Sequence, residues 1–316
     1  MSSSVPRRGM CHAAAVDSIG VTVPRTAVRK GAGPMTERIV VAVTESASTE
    51  GAVTWAATRA AAREARLTLV ATSPERADDE AVPTARILLE AEAARVREIV
   101  DRLGVPVDVD AQTVTGDLAH GLVAMSEDAT LVVLGHDHAD HHDALVRHVV
   151  SGAHSAVAVV PHGSVVGRHG VVVGIDDSDV TPAAVAFAAD EALSRGEPLI
   201  AVSAWLPVPV SGDLTGSGDY LIGSADPAGL TPIDLGPVAT ERVERALARV
   251  RAAHPELQVH TRVEEADAAQ LLTDLARDAA LLVVGTHGRG ALARFFLGSV
   301  STSVLEDPTS PTIAVR

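Results

Sequence analysis

Aromatic residues make up only 2% of this 316-residue chain, and cysteine occurs once, at Cys11. A core with so few rings must be built from Ala, Val and Leu, a mixture suited to helices packed closely on parallel strands. A lone cysteine forms no intrachain disulfide, so a reducing, cytoplasmic compartment is expected. Positive charge is also short. Lys+Arg 26 against Asp+Glu 41 gives a net charge of −15, and no local basic patch offsets the repulsion of a phosphate backbone. No run approaches the ~20 apolar residues that cross a bilayer. Neither nucleic acid nor membrane is therefore an expected partner. The segment before Ile39 has no signal-peptide apolar stretch, and none follows the Arg7-Arg8 pair. Residues 1–36 read as a disordered tail, with Met35 a candidate start of translation.

Hydrophobic residues are plentiful at 47%, enough for two cores, and past the tail the chain repeats itself. "IVVAVTESAS" from Ile39 matches "VVVGIDDSDV" from Val171, an offset of 132 that sets Thr44 opposite Asp176. "LTLVAT" from Leu67 matches "LIAVSA" from Leu199 at the same offset. "TLVVLG" ending at Gly135 matches "LLVVG" ending at Gly285, where the offset has grown to 150. The difference places an insertion between Trp205 and a helix beginning near Pro237. Its Gly, Pro, Ser and Asp content reads as a long surface loop.

Each half alternates short Val/Leu/Ile runs with Ala-rich helical stretches, Thr49–Glu64 and Ala85–Leu103 in the first, Thr181–Ser194 and Ala239–Ala253 in the second. Strands separated by helices lie parallel with right-handed crossovers. The expected fold is α/β, two tandem doubly wound, Rossmann-like domains over 37–165 and 166–316, each a five-stranded parallel sheet flanked by helices. In the second half the strands are expected at 170–176, 198–205, 256–264, 280–285 and 311–315.

Open parallel sheets bind ligands beyond the carboxyl ends of their strands. "GTHGRGALARFFLGSVS" begins there, at Gly285. As a P-loop it fails, because Ala291 and Leu292 stand where Lys and Ser/Thr must reach phosphate and metal. As a dinucleotide fingerprint it comes too late, with one strand left to follow. A third pattern, GxxG, nine residues, then G[ST], is met by Gly285, Gly288, Gly298 and Ser299. Tight glycine turns bring backbone N–H groups against an anion, and the opening amides of the last helix point the same way. The hydroxyls of Ser299 and Ser301 add donors, and Arg289, Arg294 and His287 lie within the same segment.

These motifs, in this order, resemble a tandem universal stress protein over about residues 37–316. The resemblance implies ATP, with Mg2+, bound in the second half. It assigns the ribose to Asp176, the adenine to backbone of Gly174, Ile175 and Ala204, and the phosphates to Gly285, Gly288, Gly298, Ser299, Val300 and Ser301. It also implies that the halves pair through their last strands, and a homodimer is expected. Trp205 stacking on adenine is a minor alternative to a core or rim position.

The first half departs from the pattern. Thr44 replaces the ribose Asp, His138 the second glycine, and His148-Val149 the Gly-Ser pair. The helix that follows is expected to be about five residues shorter than its counterpart. The first half is therefore expected to be a structural partner that binds no ATP by this route. Two alternatives remain open. One is slow ATP hydrolysis or adenylyl transfer, for which Asp177 and His287 are candidates in the absence of a Walker-type Asp or Lys. The other is metal binding through the loop 136–148, where His136, His138, Asp140 and His141 have zinc-ligand spacing. A solvated polar loop is the default there, and no metal ligand is assigned.

Overall fold

A computed structural model describes residues 16–17, 37–73, 81–137, 143–163, 167–210, 231–286 and 297–316. The elements of the first half are β1 (Val16–Asp17), β2 (Arg38–Ala42), α1 (Ser48–Arg63), β3 (Arg66–Ser73), α2 (Ala81–Leu103), β4 (Asp108–Thr115), α3 (Leu118–Met125), β5 (Leu131–His136), α4 (Asp143–Gly152) and β6 (Ala156–Pro161). The second half contributes β7 (Val171–Gly174), α5 (Thr181–Arg195), β8 (Leu199–Trp205), β9 (Val208–Val210), β10 (Thr231–Ile233), α6 (Gly236–Ala253), β11 (Val259–Glu265), α7 (Ala268–Ala276), β12 (Leu281–Gly285), α8 (Ser299–Glu306) and β13 (Thr312–Val315).

The Val/Leu/Ile runs form the middle of one 11-stranded sheet, in the order β1-β4-β3-β2-β5-β6-β13-β12-β7-β8-β11. Within each half five strands are parallel, as the repeat predicts. The halves meet at their last strands, where β6 and β13 run antiparallel with Ala158 opposite Ile313. Helices α1, α2, α5 and α6 cover one face and α3, α4, α7 and α8 the other. Each face has its own core, continuous across the join. Of the residues before 37, Val16 and Asp17 pair antiparallel with Val114 and Thr113 of β4. No described helix is long and apolar enough to cross a membrane.

The insertion differs from a plain loop. Its ends, β9 and β10, form an antiparallel ribbon with Val208 opposite Ile233 and Val210 opposite Thr231. The β-branched residues in Val-Pro-Val and Thr-Pro-Ile favour extended pairing even beside prolines, a signal hidden by the Gly- and Ser-rich composition around them. Residues 211–230 of the insertion lie outside the described residues.

Beneath the β6–β13 join, α1 and α5 are tied by a buried ion cluster. The Arg59 guanidinium donates to Glu191 Oε1 at 2.7 and 3.0 Å and to Glu37 Oε2 at 2.8 Å. Arg63 reaches Glu37, Asp190 and Glu191, while Arg195 donates to Glu191 Oε2. Burial pushes the Glu191 carboxyl up, but the guanidiniums of Arg59, Arg195 and Arg63 outweigh it and hold the carboxyl below the ordinary glutamate range.

A carboxyl depressed in the fold contributes stability that is present above its unfolded pKa and is lost as pH falls through the folded value. The melting temperature of the chain is therefore expected to converge on that of Glu191→Gln as pH falls from about 6 to about 3. A gap unchanged across that range would contradict the assignment. A second expectation concerns the repeat-equivalent helix ends. Gly196 closes α5 at φ 65°, whereas Glu64 closes α1 at φ 51°, a left-handed conformation that disfavours a Cβ. Glu64→Gly is expected to stabilise the chain by about 0.5–1 kcal/mol in urea unfolding.

Candidate functional site

Parallel pairing fixes where a ligand fits. β7 pairs with β12, Val173 opposite Val283, and on its other side with β8, Gly174 opposite Val202. The helix leaving β7 lies on one face of the sheet and those flanking β12 on the other. The chain therefore parts at the carboxyl ends of these two neighbours, with residues 175–178 on one lip and the start of α8 on the other.

The β7 lip is built around Asp176. Its Oδ1 accepts from the Ser178 amide at 3.0 Å, the Ser178 hydroxyl at 2.5 Å and the Thr181 hydroxyl at 2.7 Å. No described residue donates to Oδ2, and Asp176 is half-buried. One oxygen thus closes the turn into α5, and the other has no donor among the described residues. Ser178 and Thr181 carry no motif signal. Their role shows only beside their repeat mates Ser46 and Thr49, which stand at the same offset of 132.

Gly174 has a packing reason to be glycine, because a Cβ there would lie 3.1 Å from Cδ1 of Leu272 on α7. The Ile175 amide donates to Val202 O at 2.7 Å, and its carbonyl accepts from the Ser203 hydroxyl at 3.0 Å. Ile175 therefore anchors the lip, with its amide already engaged. Ala204 is half-buried near the end of β8, past the last paired residues of β7 and β8. The Trp205 ring packs under α6, where a Cβ at Gly236 would lie 3.3 Å from it. This favours the rim position over stacking on a base. Asp177 caps no helix, since the N-cap of α5 is Val180 without a side-chain bond. Its carboxylate pairs with Arg242 Nε at 3.2 Å and Arg245 at 3.5 Å, while Arg242 also donates to Ser203 Oγ at 3.1 Å. Asp177 thus fastens α6 to the lip.

On the opposite lip, the Gly298 amide donates to Thr286 O and the Gly298 carbonyl accepts from Thr302 N, both at 2.9 Å. Gly298 has φ −63° and ψ 153°, a conformation open to any residue. No described residue accepts from the amides of Ser299, Val300 and Ser301. With the helix dipole behind them they suit an anion. Ser299 is exposed and Val300 half-buried at this mouth. The Ser301 hydroxyl, expected to serve the anion, is engaged within the fold. Ser301 is buried, and its hydroxyl donates to Gly285 O at 2.5 Å, strapping α8 to the end of β12. Gly288, Arg289, His287 and Arg294 lie outside the described residues.

The profile of the universal stress protein family matches residues 35–161 and 167–316. The chain belongs to the universal stress protein family. A universal stress protein of Mycolicibacterium smegmatis is 30% identical over 300 residues, 88% of this chain and 96% of its own. The crystal structure of a universal stress protein from Archaeoglobus fulgidus shares the fold at TM-score 0.64 and 15% identity, covering 89% of this chain and 99% of its own. Another from Archaeoglobus fulgidus was solved in complex with dAMP, at TM-score 0.34 and 20% identity, covering 40% of this chain and 98% of its own. That ligand is a property of that protein.

The two halves of this universal stress protein differ at both lips. Thr44 stands at the Asp176 position, and its Oγ1 accepts from the Ser46 amide at 3.3 Å and lies 3.0 Å from Thr49 Oγ1. A hydroxyl thus closes the same turn but leaves no second oxygen. On the other lip, α4 is not shorter than its counterpart, having 10 residues against 8 in α8. Residues 137–142 separate β5 from α4 and residues 286–298 separate β12 from α8, and His148 and Val149 fall inside α4 rather than at its start. Val149 is buried, and the His148 ring lies 4.6 Å from that of His120. Aligning on sequence alone carried the gap into the helix. For the metal alternative, His138, Asp140 and His141 lie outside the described residues, and His136 is buried at the end of β5. No group of three or more metal-ligating side chains occurs among the described residues.

The strap on α8 gives a test. Ser301→Ala is expected to lower the free energy of urea unfolding by about 1–2 kcal/mol by removing a donor from a strand-end carbonyl. Ser299→Ala, at an exposed hydroxyl, is expected to change it by less than about 0.5 kcal/mol.

Proposed function

We propose that this universal stress protein binds an adenine nucleotide, ATP with Mg2+, in its second half, and acts as a nucleotide-dependent regulatory module rather than an enzyme. In this reading residues 166–316 form the binding domain and 37–165 its structural partner. The observation that carries it is the comparison of Thr44 with Asp176. The turn needs one acceptor, a threonine supplies it in the first half, and the second half has a carboxylate whose Oδ2 no described residue engages. A carboxylate oxygen accepts the hydroxyls of a ribose diol more strongly than a neutral group does.

Across the cleft, the amides of Ser299, Val300 and Ser301 suit the phosphates without a lysine, and Gly288 and Arg289 of the GxxG pattern are assigned to the phosphates on sequence alone. Gly174, Ile175 and Ala204 line the base side. Binding without turnover is the reading that the ion pairs of Asp177 support, the other candidate, His287, lying outside the described residues. Asp177 is paired with Arg242 and Arg245, leaving no described carboxylate assigned to water or metal. Because β6 and β13 already pair inside one chain, a homodimer would use a different surface.

Asp176→Thr separates ligand binding from folding, because the first half shows that a threonine closes this turn. Fluorescent ATP titrated into the full chain with Mg2+ is expected to bind at micromolar concentration. Asp176→Thr is expected to weaken it roughly 10–100-fold while shifting the melting temperature by less than about 3 °C. Gly298→Val is expected to weaken binding at least as much. An intact chain that ignores ATP, or an Asp176→Thr variant with unchanged affinity, would refute the proposal.

A further inference from the structure

The interface between the halves is asymmetric in charge at a place where the repeat is symmetric in geometry. Arg59 and Glu191 are repeat mates, 132 residues apart, and they bond each other directly. Ala158 and Ile313 face each other as the mates at the centre of the β6–β13 join. Trp55 and Phe187 are also mates at the offset of 132, and each lies under a guanidinium of the other half. Arg195 sits 5.7 Å from the Trp55 ring and Arg59 sits 5.9 Å from that of Phe187. Contacts between mates mark a two-fold axis, at which each position meets its own equivalent.

We infer that the Arg59–Glu191 pair on this axis selects the partner domain, so that each half accepts a domain carrying the opposite charge there and rejects a copy of itself. This inference does not rest on the nucleotide reading. Half one brings Arg59, Arg63 and Glu37 to the cluster, a net positive contribution of one. Half two brings Asp190, Glu191 and Arg195, a net negative contribution of one. Joined to each other they balance. Two copies of half one would bury Arg59 against Arg59 with excess positive charge, and two copies of half two would set Glu191 against Glu191 with excess negative charge.

The side chains of Arg59 and Glu191 are 4% and 1% exposed, so little water would screen such a mismatch. A buried ion pair contributes little net stability over an apolar pair. Its distinctive effect is the penalty it imposes on wrong partners. The partner that fits either surface is thus a domain of this same fold with the complementary charge at the axis.

Reversing one charge at a time in the full chain tests this. Arg59→Glu and Glu191→Arg each set like charges against each other within one chain, and each is expected to lower the melting temperature by roughly 10 °C. The two variants remain complementary to each other. Co-expressed, or mixed in urea and diluted, they are expected to exchange halves, giving a 1:1 heterodimer in native mass spectrometry with at least half of the lost melting temperature regained. The chain carrying both reversals is expected to close on itself as a monomer and melt above either single variant.

If a single variant is insoluble alone, soluble heterodimer on co-expression supports the same conclusion. Three results would overturn it. They are single reversals that melt like the unaltered chain, a co-expressed or mixed pair with neither heterodimer nor recovery, and a doubly reversed chain no more stable than the single variants.

Discussion

The parallel pairing of β7 with β12 is the constraint on which the rest depends. Neighbouring strands whose helices leave to opposite faces cannot both be covered at their carboxyl ends, so the sheet opens there. Everything placed at that opening inherits its position from Val/Leu/Ile runs buried on both faces. Asp176 follows β7, the strap from Ser301 to Gly285 closes on the end of β12, and the opening amides of α8 stand across from the carboxylate. The side chains at the cleft add chemistry to a geometry that the core has already set.

The repeat turns this one chain into a comparison with itself. Where the two halves agree, the shared residues serve the fold, as with Thr49 and Thr181, which close corresponding turns. Where they differ, the difference is informative. Thr44 against Asp176 separates closing a turn from presenting a spare oxygen, and Glu64 against Gly196 separates a strained helix end from a relaxed one. Arg59 against Glu191 gives two similar surfaces opposite signs, so a fold that could pair with copies of itself is directed to pair within one chain.

Much of the architecture was legible in the chain. The strand runs from Val171, Leu199 and Leu281 fall where the sequence places them, and the β6–β13 pairing is the join between last strands that the resemblance implies. Buried parallel strands are legible because they must be apolar throughout. The β9–β10 ribbon is not legible because composition averages over the few β-branched residues that pair. The length of α4 is hidden because an alignment records that residues are absent, not which element lost them. At the site, the candidate glycines and Asp176 were legible as a pattern, whereas the duties of Ser178, Ser203, Arg242 and Ser301 were not.

The sequence by itself determined the repeat, the α/β alternation, the edge of the sheet at which a ligand fits and the half that carries the fuller set of candidate groups. These are properties of short segments, set by which residues can be buried and which turns glycine permits. Only the tertiary structure decided which polar groups are already engaged. It gave the Ser301 hydroxyl to Gly285, the Asp177 carboxylate to Arg242 and one oxygen of Asp176 to its own turn, and it brought Arg59 onto Glu191. A hydrogen bond or ion pair depends on distances of a few tenths of an ångström between groups far apart in the chain, and those distances exist only once both cores have packed.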